Sequence, residues 1–178
     1  MRFLPRPSPS LDRATPIDQS AQSGFTLVEL SVITMIIGVL VALALPAIKR
    51  ALQTTRANIV ANDLRVFSAA FTGHSQRAGS YPPEAAVGVF PPLMDGSLNR
   101  GTWRRRTPIG GQYNWEFNRV HVGTRYRAAV AINSVGTNTI TTDMNQLLAI
   151  DRRIDDGNYS TGNFFRGASN APVYIIER

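Results

Sequence analysis

An uninterrupted apolar segment near the N-terminus dominates the hydrophobic pattern of this 178-residue chain. Residues 30–48 form a run of 19 positions without a charge, and Glu29 is the only ionisable residue between Phe25 and Ile48. A helix over residues 25–48 would be ~36 Å long, enough to cross a hydrocarbon core of ~30 Å. The pattern predicts a membrane-spanning helix, and its lone carboxylate indicates a function because an unpaired charge is costly in lipid.

The helical pattern continues beyond the apolar segment as an amphipathic stem over residues 49–78. No Pro or Gly interrupts it before Gly73, and the GSYPP sequence at residues 79–83 is typical of a helix end. Four apolar residues follow helical spacing and predict a face that docks on the protein's own head: Val60, Leu64, Phe67 and Phe71. The polar residues off this face are expected to contact solvent or a neighbour: Arg56, Asn58, Asn62 and Arg65.

Residues 79–178 are predicted to form a small globular head. Its first part, residues 79–111, is rich in Gly and Pro, which predicts a long loop with at most one short helix. Four apolar side chains are expected to pack this loop: Phe90, Leu93, Met94 and Trp103. Tyr113, Trp115 and Phe117 alternate as in a strand with one buried face, and a later change of phase predicts a bulge or turn near Asn118–Arg119.

The second half of the head has the pattern of strand, short helix and strand. The second strand is indicated by alternating apolar residues: Tyr126, Ala128, Val130 and Ile132. Thr142 or Asp143 can cap a short helix, with Gln146 at the position that completes a capping box. This helix has a predicted apolar face: Met144, Leu147, Leu148 and Ile154. With a last strand at residues 173–176, the predicted fold class is α+β, a long N-terminal helix laid on a small antiparallel sheet.

Composition excludes several functional classes. The chain has no cysteine, so a disulfide or a zinc–thiolate site is impossible. It has two histidines and neither a nucleophile elbow nor a phosphate-binding loop, so no enzymatic activity is expected. Residues 1–24 contain four prolines and no apolar stretch long enough for a secretory signal, so they are expected to be disordered.

The GFTLVEL motif at residues 24–30, followed by an apolar helix, resembles the N-terminal signature of type IV pilins and type II secretion pseudopilins. The resemblance implies that a prepilin peptidase cuts after Gly24 and N-methylates the new first residue, Phe25. It also implies that Glu29 pairs with the Phe25 amine of a neighbouring subunit during assembly, and that Pro46 bends the helix. Two other N-termini stay open: an uncleaved anchor beginning at Met1, and a signal peptide cut after Ala44.

A second resemblance concerns the head. The order of the YPP sequence at residues 81–83 and the TPIGGQYNW sequence at residues 107–115 is similar to that of pseudopilins and minor pilins. Together with the lack of cysteine, it favours a structural subunit of a type II secretion-type pseudopilus. The alternatives are a minor or major type IV pilus subunit, for adhesion, motility or DNA uptake, and a membrane-anchored binding domain that does not polymerise.

The resemblance also implies partners and a location. The expected partners are the prepilin peptidase, further pilin-like subunits, an inner-membrane assembly platform and membrane lipid. The expected location is the bacterial inner membrane, with the leader in the cytoplasm and the head in the periplasm. Basic residues flank the apolar segment on both sides, so this orientation follows from the resemblance and not from the charge pattern.

Two segments of the head have residues that could form a binding site, one for a metal ion and one for nucleic acid. Asp155, Asp156 and Asn158 follow the short helix, where negative charge is unfavourable, and offer oxygen ligands for calcium. The alternative is a solvated turn paired with the neighbouring arginines, because the spacing differs from an EF-hand. The WRRR sequence at residues 103–106, near Tyr113 and Trp115, has the mixture of a nucleic-acid site. Three arginines in one loop more often form a solvated face or a contact with a neighbouring subunit, so nucleic acid is not an expected partner.

Overall fold

The structure is a computed structural model that describes residues 24–178, so the predicted leader lies outside the described residues except for Gly24. The chain divides into two compact units at Ala42 and Leu43. The described residues form three helices: α1 (Leu27–Ala78), α2 (Arg100–Arg104) and α3 (Met144–Ile154). The same part of the chain forms four strands, with a 3-10 turn at Ala168–Asn170 before the last: β1 (Gln112–His121), β2 (Thr124–Asn133), β3 (Phe164–Arg166) and β4 (Pro172–Glu177).

The long N-terminal helix ends where the sequence predicts that the stem ends, at residue 78. α1 has 52 residues and continues through Pro46 without interruption. It ends at Ala78, where Gly79 takes a φ of +75°, the left-handed conformation that glycine adopts after a helix. The bend expected at Pro46 stays a prediction.

The apolar face of the stem forms the centre of the head's core. All four predicted residues of this face are at most 1% exposed: Val60, Leu64, Phe67 and Phe71. The ring of Phe71 stacks on Trp115 at a centroid distance of 3.7 Å, and the ring of Phe67 meets Tyr113 edge-on at 4.8 Å. Because aromatic rings bury large apolar areas, these contacts attach the stem firmly to β1. The predicted docking of the stem on the head is confirmed.

The head contains one antiparallel sheet with strand order β1-β2-β4-β3. The two predicted central strands are confirmed, with Tyr113 opposite Ile132 and Trp115 opposite Val130. The alternation places these four residues in the same core as the stem. The other face has a smaller core of its own, which includes Tyr126, Ala129, Ala131, Phe165, Val173 and Ile175. The α+β class is therefore confirmed.

Two local predictions in the head are wrong. No bulge is inserted near Asn118–Arg119, because the β1–β2 register is the same on both sides; Asn118 instead takes a φ of +55°. The register shift lies in β2, between Ala128 and Ala129, where β2 pairs with β4. Leu93 is 67% exposed and does not pack the loop, because its own left-handed backbone, with a φ of +62°, accompanies a turn on the surface.

The short helix α3 begins as predicted, but its first turn contacts α1 in a way that the sequence did not predict. Asp143 is its N-cap, and the carboxylate accepts the Asn145 N–H at 3.0 Å. Gln146 does not close a capping box; its side-chain amide donates to the Gln53 carbonyl of α1 at 3.0 Å. Met144 is 46% exposed, so the predicted apolar face is wrong at this residue, and Ile150 is buried in its place. A contact across 93 residues therefore replaces a local one.

Gly110 permits a close approach of two loops, and its replacement by alanine is expected to destabilise the head by about 3 kcal/mol. Its φ is +84°, and a Cβ there would lie 1.9 Å from the Thr139 carbonyl oxygen. Gly96→Ala is a matched control, since Gly96 has a φ of +78° but open space around it, and should cost only about 1 kcal/mol. Urea denaturation of both variants measures the difference, and equal losses would contradict the steric argument.

Candidate functional site

The first turn of α1 positions the residues of the predicted assembly segment. Gly24, Phe25 and Thr26 precede the helix. The Thr26 hydroxyl oxygen accepts the Glu29 N–H at 3.2 Å, and the Thr26 carbonyl accepts the Leu30 N–H at 3.1 Å. Thr26 therefore caps the helix, and Glu29 is its third residue. A carboxylate is favoured there because the first backbone N–H groups lack helical partners.

Phe25 and Glu29 do not share one face of α1, although they are four residues apart. Phe25 lies outside the helix, because the Thr26 side chain occupies the cap position after it. The helix start at Thr26 has a signal in the sequence, because Thr26 and Glu29 have the spacing of a capping box. Within residues 24–178, however, no group donates a hydrogen bond to the Glu29 carboxylate, so it is available to a partner outside the chain.

The polar groups of the following segment are satisfied inside the helix. The Ser31 hydroxyl donates to the Val28 carbonyl at 2.7 Å, and the Thr34 hydroxyl donates to the Leu30 and Ser31 carbonyls. Such bonds allow hydroxyl groups in an apolar medium. No residue in the most apolar 18-residue window of α1 is buried by the rest of the protein. By length and composition, α1 can cross a membrane, which fits a membrane-anchored, single-pass protein.

The N-terminal segment matches a known family model. Residues 19–45 match the family model described as the prokaryotic N-terminal methylation motif. The chain carries the signature of type IV pilins and pseudopilins. The motif includes Gly24, Phe25 and Glu29, and it supports processing by a prepilin peptidase and assembly as a pilin-like subunit in general. No curated protein and no solved structure gives a significant match to the chain.

A second candidate site is the acidic turn, which we define as Asp151, Asp155 and Asp156. Each of the three carboxylates offers one oxygen, and these oxygens lie within 4.8 Å of one another. Asp155 accepts the backbone N–H groups of Asn163 and Phe164, the latter at 2.8 Å. The acidic turn therefore also holds the start of β3. No arginine within residues 24–178 forms an ion pair with these acids, so the expected pairing with the neighbouring arginines is wrong.

The carboxylates of the acidic turn differ in how many hydrogen bonds they accept. Asp156 accepts the Asn158 N–H at 2.8 Å and the Thr161 hydroxyl at 2.6 Å, and these bonds lower the pKa of Asp156. The side-chain oxygen of Asn158 accepts the Ser160 N–H at 3.2 Å. Asn158, which the sequence suggested as a ligand, is thus engaged within the turn.

Asp151 is the buried member of the acidic turn, and it was not predicted. Its Oδ1 accepts the Gly157 N–H at 3.2 Å, whereas its Oδ2 is buried and has no hydrogen-bond partner within residues 24–178. Burial, with smaller contributions from the charges of Asp156 and Asp155, raises the pKa of Asp151 to about 6. The available sequence signal is its spacing of four residues from Asp155, which places both acids on one helical face.

The raised pKa of Asp151 predicts a pH-dependent stability. The folded protein binds this proton more tightly than the unfolded chain, whose group has a pKa of 3.8, so stability falls as pH rises through about 6. We expect this group to lower the free energy of unfolding by about 2 kcal/mol between pH 4 and pH 7. Denaturation in the presence of a chelator should show a smaller fall for Asp151→Asn. An identical pH dependence in both proteins would contradict the assignment.

The arginine-rich loop does not form a nucleic-acid surface of the kind considered above. The rings of Trp103, Tyr113 and Trp115 are wholly buried in the core, so they cannot stack on bases. Arg105 forms an ion pair with Asp63 of α1. The aromatic part of that interpretation is wrong, and Arg104 and Arg106 remain as exposed cations.

Proposed function

We propose that the chain is a pseudopilin, a structural subunit of a type II secretion-type pseudopilus. The observation that carries this proposal is the lone Glu29 carboxylate, without a partner in residues 24–178, at the start of an apolar helix. Prepilin peptidase cleaves after Gly24 and methylates Phe25. The protonated amine of one subunit then donates to the Glu29 carboxylate of the next, and the apolar helices pack side by side in the filament.

Two features support a pseudopilin over a type IV pilus subunit. The chain has no cysteine, so its C-terminal region cannot be closed by the disulfide typical of many type IV pilins. The TPIGGQYNW segment forms a tight turn before β1, in which the Thr107 N–H donates to the Gly111 carbonyl at 3.1 Å. In this proposal the head lies in the periplasm, and an inner-membrane assembly platform draws the subunit from the membrane.

Crosslinking in cells tests this proposal. A pseudopilin should give a ladder of multimers that depends on an active prepilin peptidase and stays with the cells after shearing. A ladder released into the sheared fraction would assign the chain to a surface type IV pilus instead. The absence of any ladder, with the peptidase active, would indicate a membrane-anchored domain that does not polymerise and would overturn the proposal.

We further propose that the acidic turn binds a divalent cation, with calcium favoured. The supporting observation is Asp151 Oδ2, which is buried beside two other carboxylates and has no partner in the described part of the chain. Carboxylate oxygens are the ligands that calcium prefers. The Asn158 side chain and water would complete the coordination after local adjustment of the turn.

Calcium titration followed by thermal denaturation tests the cation site. The processed protein in detergent should gain thermal stability with calcium and lose that gain after Asp151→Asn. Asp95→Asn is the matched control, because Asp95 is an exposed acid outside the acidic turn. An equal calcium response in wild type and Asp151→Asn would overturn the site.

A further inference from the structure

A polar cavity of about 600 Å³ lies between α1 and two loops of the head. One wall is formed by residues 106–110, another by residues 139–143, and the third by Arg56 of α1 with Gln146 of α3. The two loops are bonded to each other, since the Thr141 N–H donates to the Ile109 carbonyl at 2.7 Å. This hydrogen bond between the two loops therefore fixes the walls of the cavity relative to each other.

The charge of the cavity favours an anion. Arg56 and Arg106 line it, and neither forms an ion pair within residues 24–178. Asp143 is the one acid in the lining, and it already accepts a hydrogen bond from the Gln53 amide at 2.7 Å. Two guanidinium groups without an acid partner are well suited to a phosphate, which arginine binds through paired hydrogen bonds.

A buried acceptor belongs to a residue in the wall of the same cavity. Gln146 is 2% exposed, and its Nε2 donates to the Gln53 carbonyl at 3.0 Å. Because only the amide nitrogen can make that bond, the orientation of the side chain is fixed and Oε1 lies on the other side. Gln146 Oε1 is buried and has no partner within the described residues. An unpaired buried acceptor is costly, so this wall of the cavity contains a polar group that the described part of the chain leaves unsatisfied.

The position of the cavity along α1 indicates the source of such a ligand. The α1 residue in its wall is Arg56, which is ~12 Å beyond Ile48, the last residue of the apolar segment. The lipid headgroup layer extends roughly 5–8 Å beyond the hydrocarbon core. Arginine side chains span the remaining distance, because their long stems reach towards a membrane surface. Lys49 and Arg50 add positive charge between the two levels.

We propose that this cavity binds a phosphoethanolamine lipid headgroup. The phosphate contacts Arg56 and Arg106, and the ammonium pairs with the exposed Asp143 carboxylate. The proposal rests on the proposed function in one respect, the anchoring of α1 in a membrane. Binding would hold the head against the bilayer before assembly, and a subunit entering the filament would have to release the lipid.

Native mass spectrometry of the processed full chain, released from nanodiscs of phosphatidylethanolamine and phosphatidylglycerol, tests the proposal. We expect the wild type to retain one phosphatidylethanolamine, and the Arg56→Gln/Arg106→Gln variant to retain it at least tenfold less. Arg125→Gln/Arg152→Gln is the control, since it removes the same charge from exposed arginines outside the cavity and should leave retention unchanged. Circular dichroism confirms that both variants fold.

Competition distinguishes the sources of phosphate. Free phosphoethanolamine should displace the lipid at concentrations where inorganic phosphate does not. Equal displacement by inorganic phosphate, preferential retention of phosphatidylglycerol, or full retention by the Arg56→Gln/Arg106→Gln variant would each overturn the proposal. The crosslinking ladder separates this result from the proposed function, because loss of the ladder with lipid retained contradicts assembly alone, and loss of lipid selectivity with a normal ladder contradicts the headgroup site alone.

Discussion

Cells that produce Glu29→Ala should insert the protein into the membrane normally but form at least tenfold less crosslinked multimer. Insertion depends on the 19 uncharged residues that follow, which the substitution leaves intact. Assembly depends on the carboxylate, because the amine of a processed neighbour would otherwise be placed in an apolar environment without a counter-charge. A tenfold loss corresponds to about 1.4 kcal/mol per contact, a modest value for an ion pair with little water around it.

Three further variants separate the charge of Glu29 from its other contributions. Glu29→Gln keeps the size and should fail like alanine, whereas Glu29→Asp should retain part of the assembly. Ser31→Ala removes a neighbouring polar group whose hydroxyl is bonded inside the helix, so it should assemble normally. Alkaline extraction of membranes measures insertion in each case. A wild-type ladder from Glu29→Gln would show that the carboxylate charge has no role in assembly.

Asp63→Ala should lower the free energy of unfolding of the head by about 3 kcal/mol. Asp63 is 6% exposed, and its Oδ2 accepts a hydrogen bond from the Tyr113 hydroxyl at 2.7 Å as well as from the Arg105 guanidinium. Burial and the Asp63 charge raise the pKa of Tyr113, so its hydroxyl stays protonated and donates. Alanine leaves that buried hydroxyl without a partner. Arg105 can turn to water, so it adds little to the loss.

Urea denaturation with a double-mutant cycle tests this explanation. Tyr113→Phe removes the buried donor, so adding it to Asp63→Ala should cost much less than Tyr113→Phe costs alone. Asp95→Ala is the surface control, because Asp95 pairs with Arg100 in water and should cost less than about 1 kcal/mol. Additive effects of Asp63→Ala and Tyr113→Phe would show that the two groups do not depend on each other.

Elements with a regular hydrophobic period could be predicted from the sequence. The stem face, the paired strands β1 and β2, and the Asp143 cap all follow from local spacing, and all are present. These features depend on neighbours within one turn or one strand, so a single sequence carries enough information about them. β3 was missed because three residues, Phe164–Arg166, are too short to show a period.

The candidate sites were harder to predict because they depend on contacts between distant residues. Asp63 lies next to the apolar face of the stem, and its buried carboxylate is satisfied by Arg105 and by Tyr113, 50 residues later. Gln146 has the spacing of a capping box but bonds to α1 instead. Asp151 has the appearance of an ordinary helical acid until the turn after α3 folds over it. In each case a polar partner far along the chain decides the role.

We expect the apolar helix to become an assembly segment only after the chain is cut at Gly24. Intact mass and N-terminal fragment spectra of the membrane-extracted protein, from cells with an active prepilin peptidase, can establish this cleavage. The protein should begin at N-methylated Phe25, and in cells that lack the peptidase it should be unmethylated and uncleaved. A protein from peptidase-active cells that begins at Met1, or at Leu45 after cleavage behind Ala44, would show that the apolar helix is not prepared for assembly in this way.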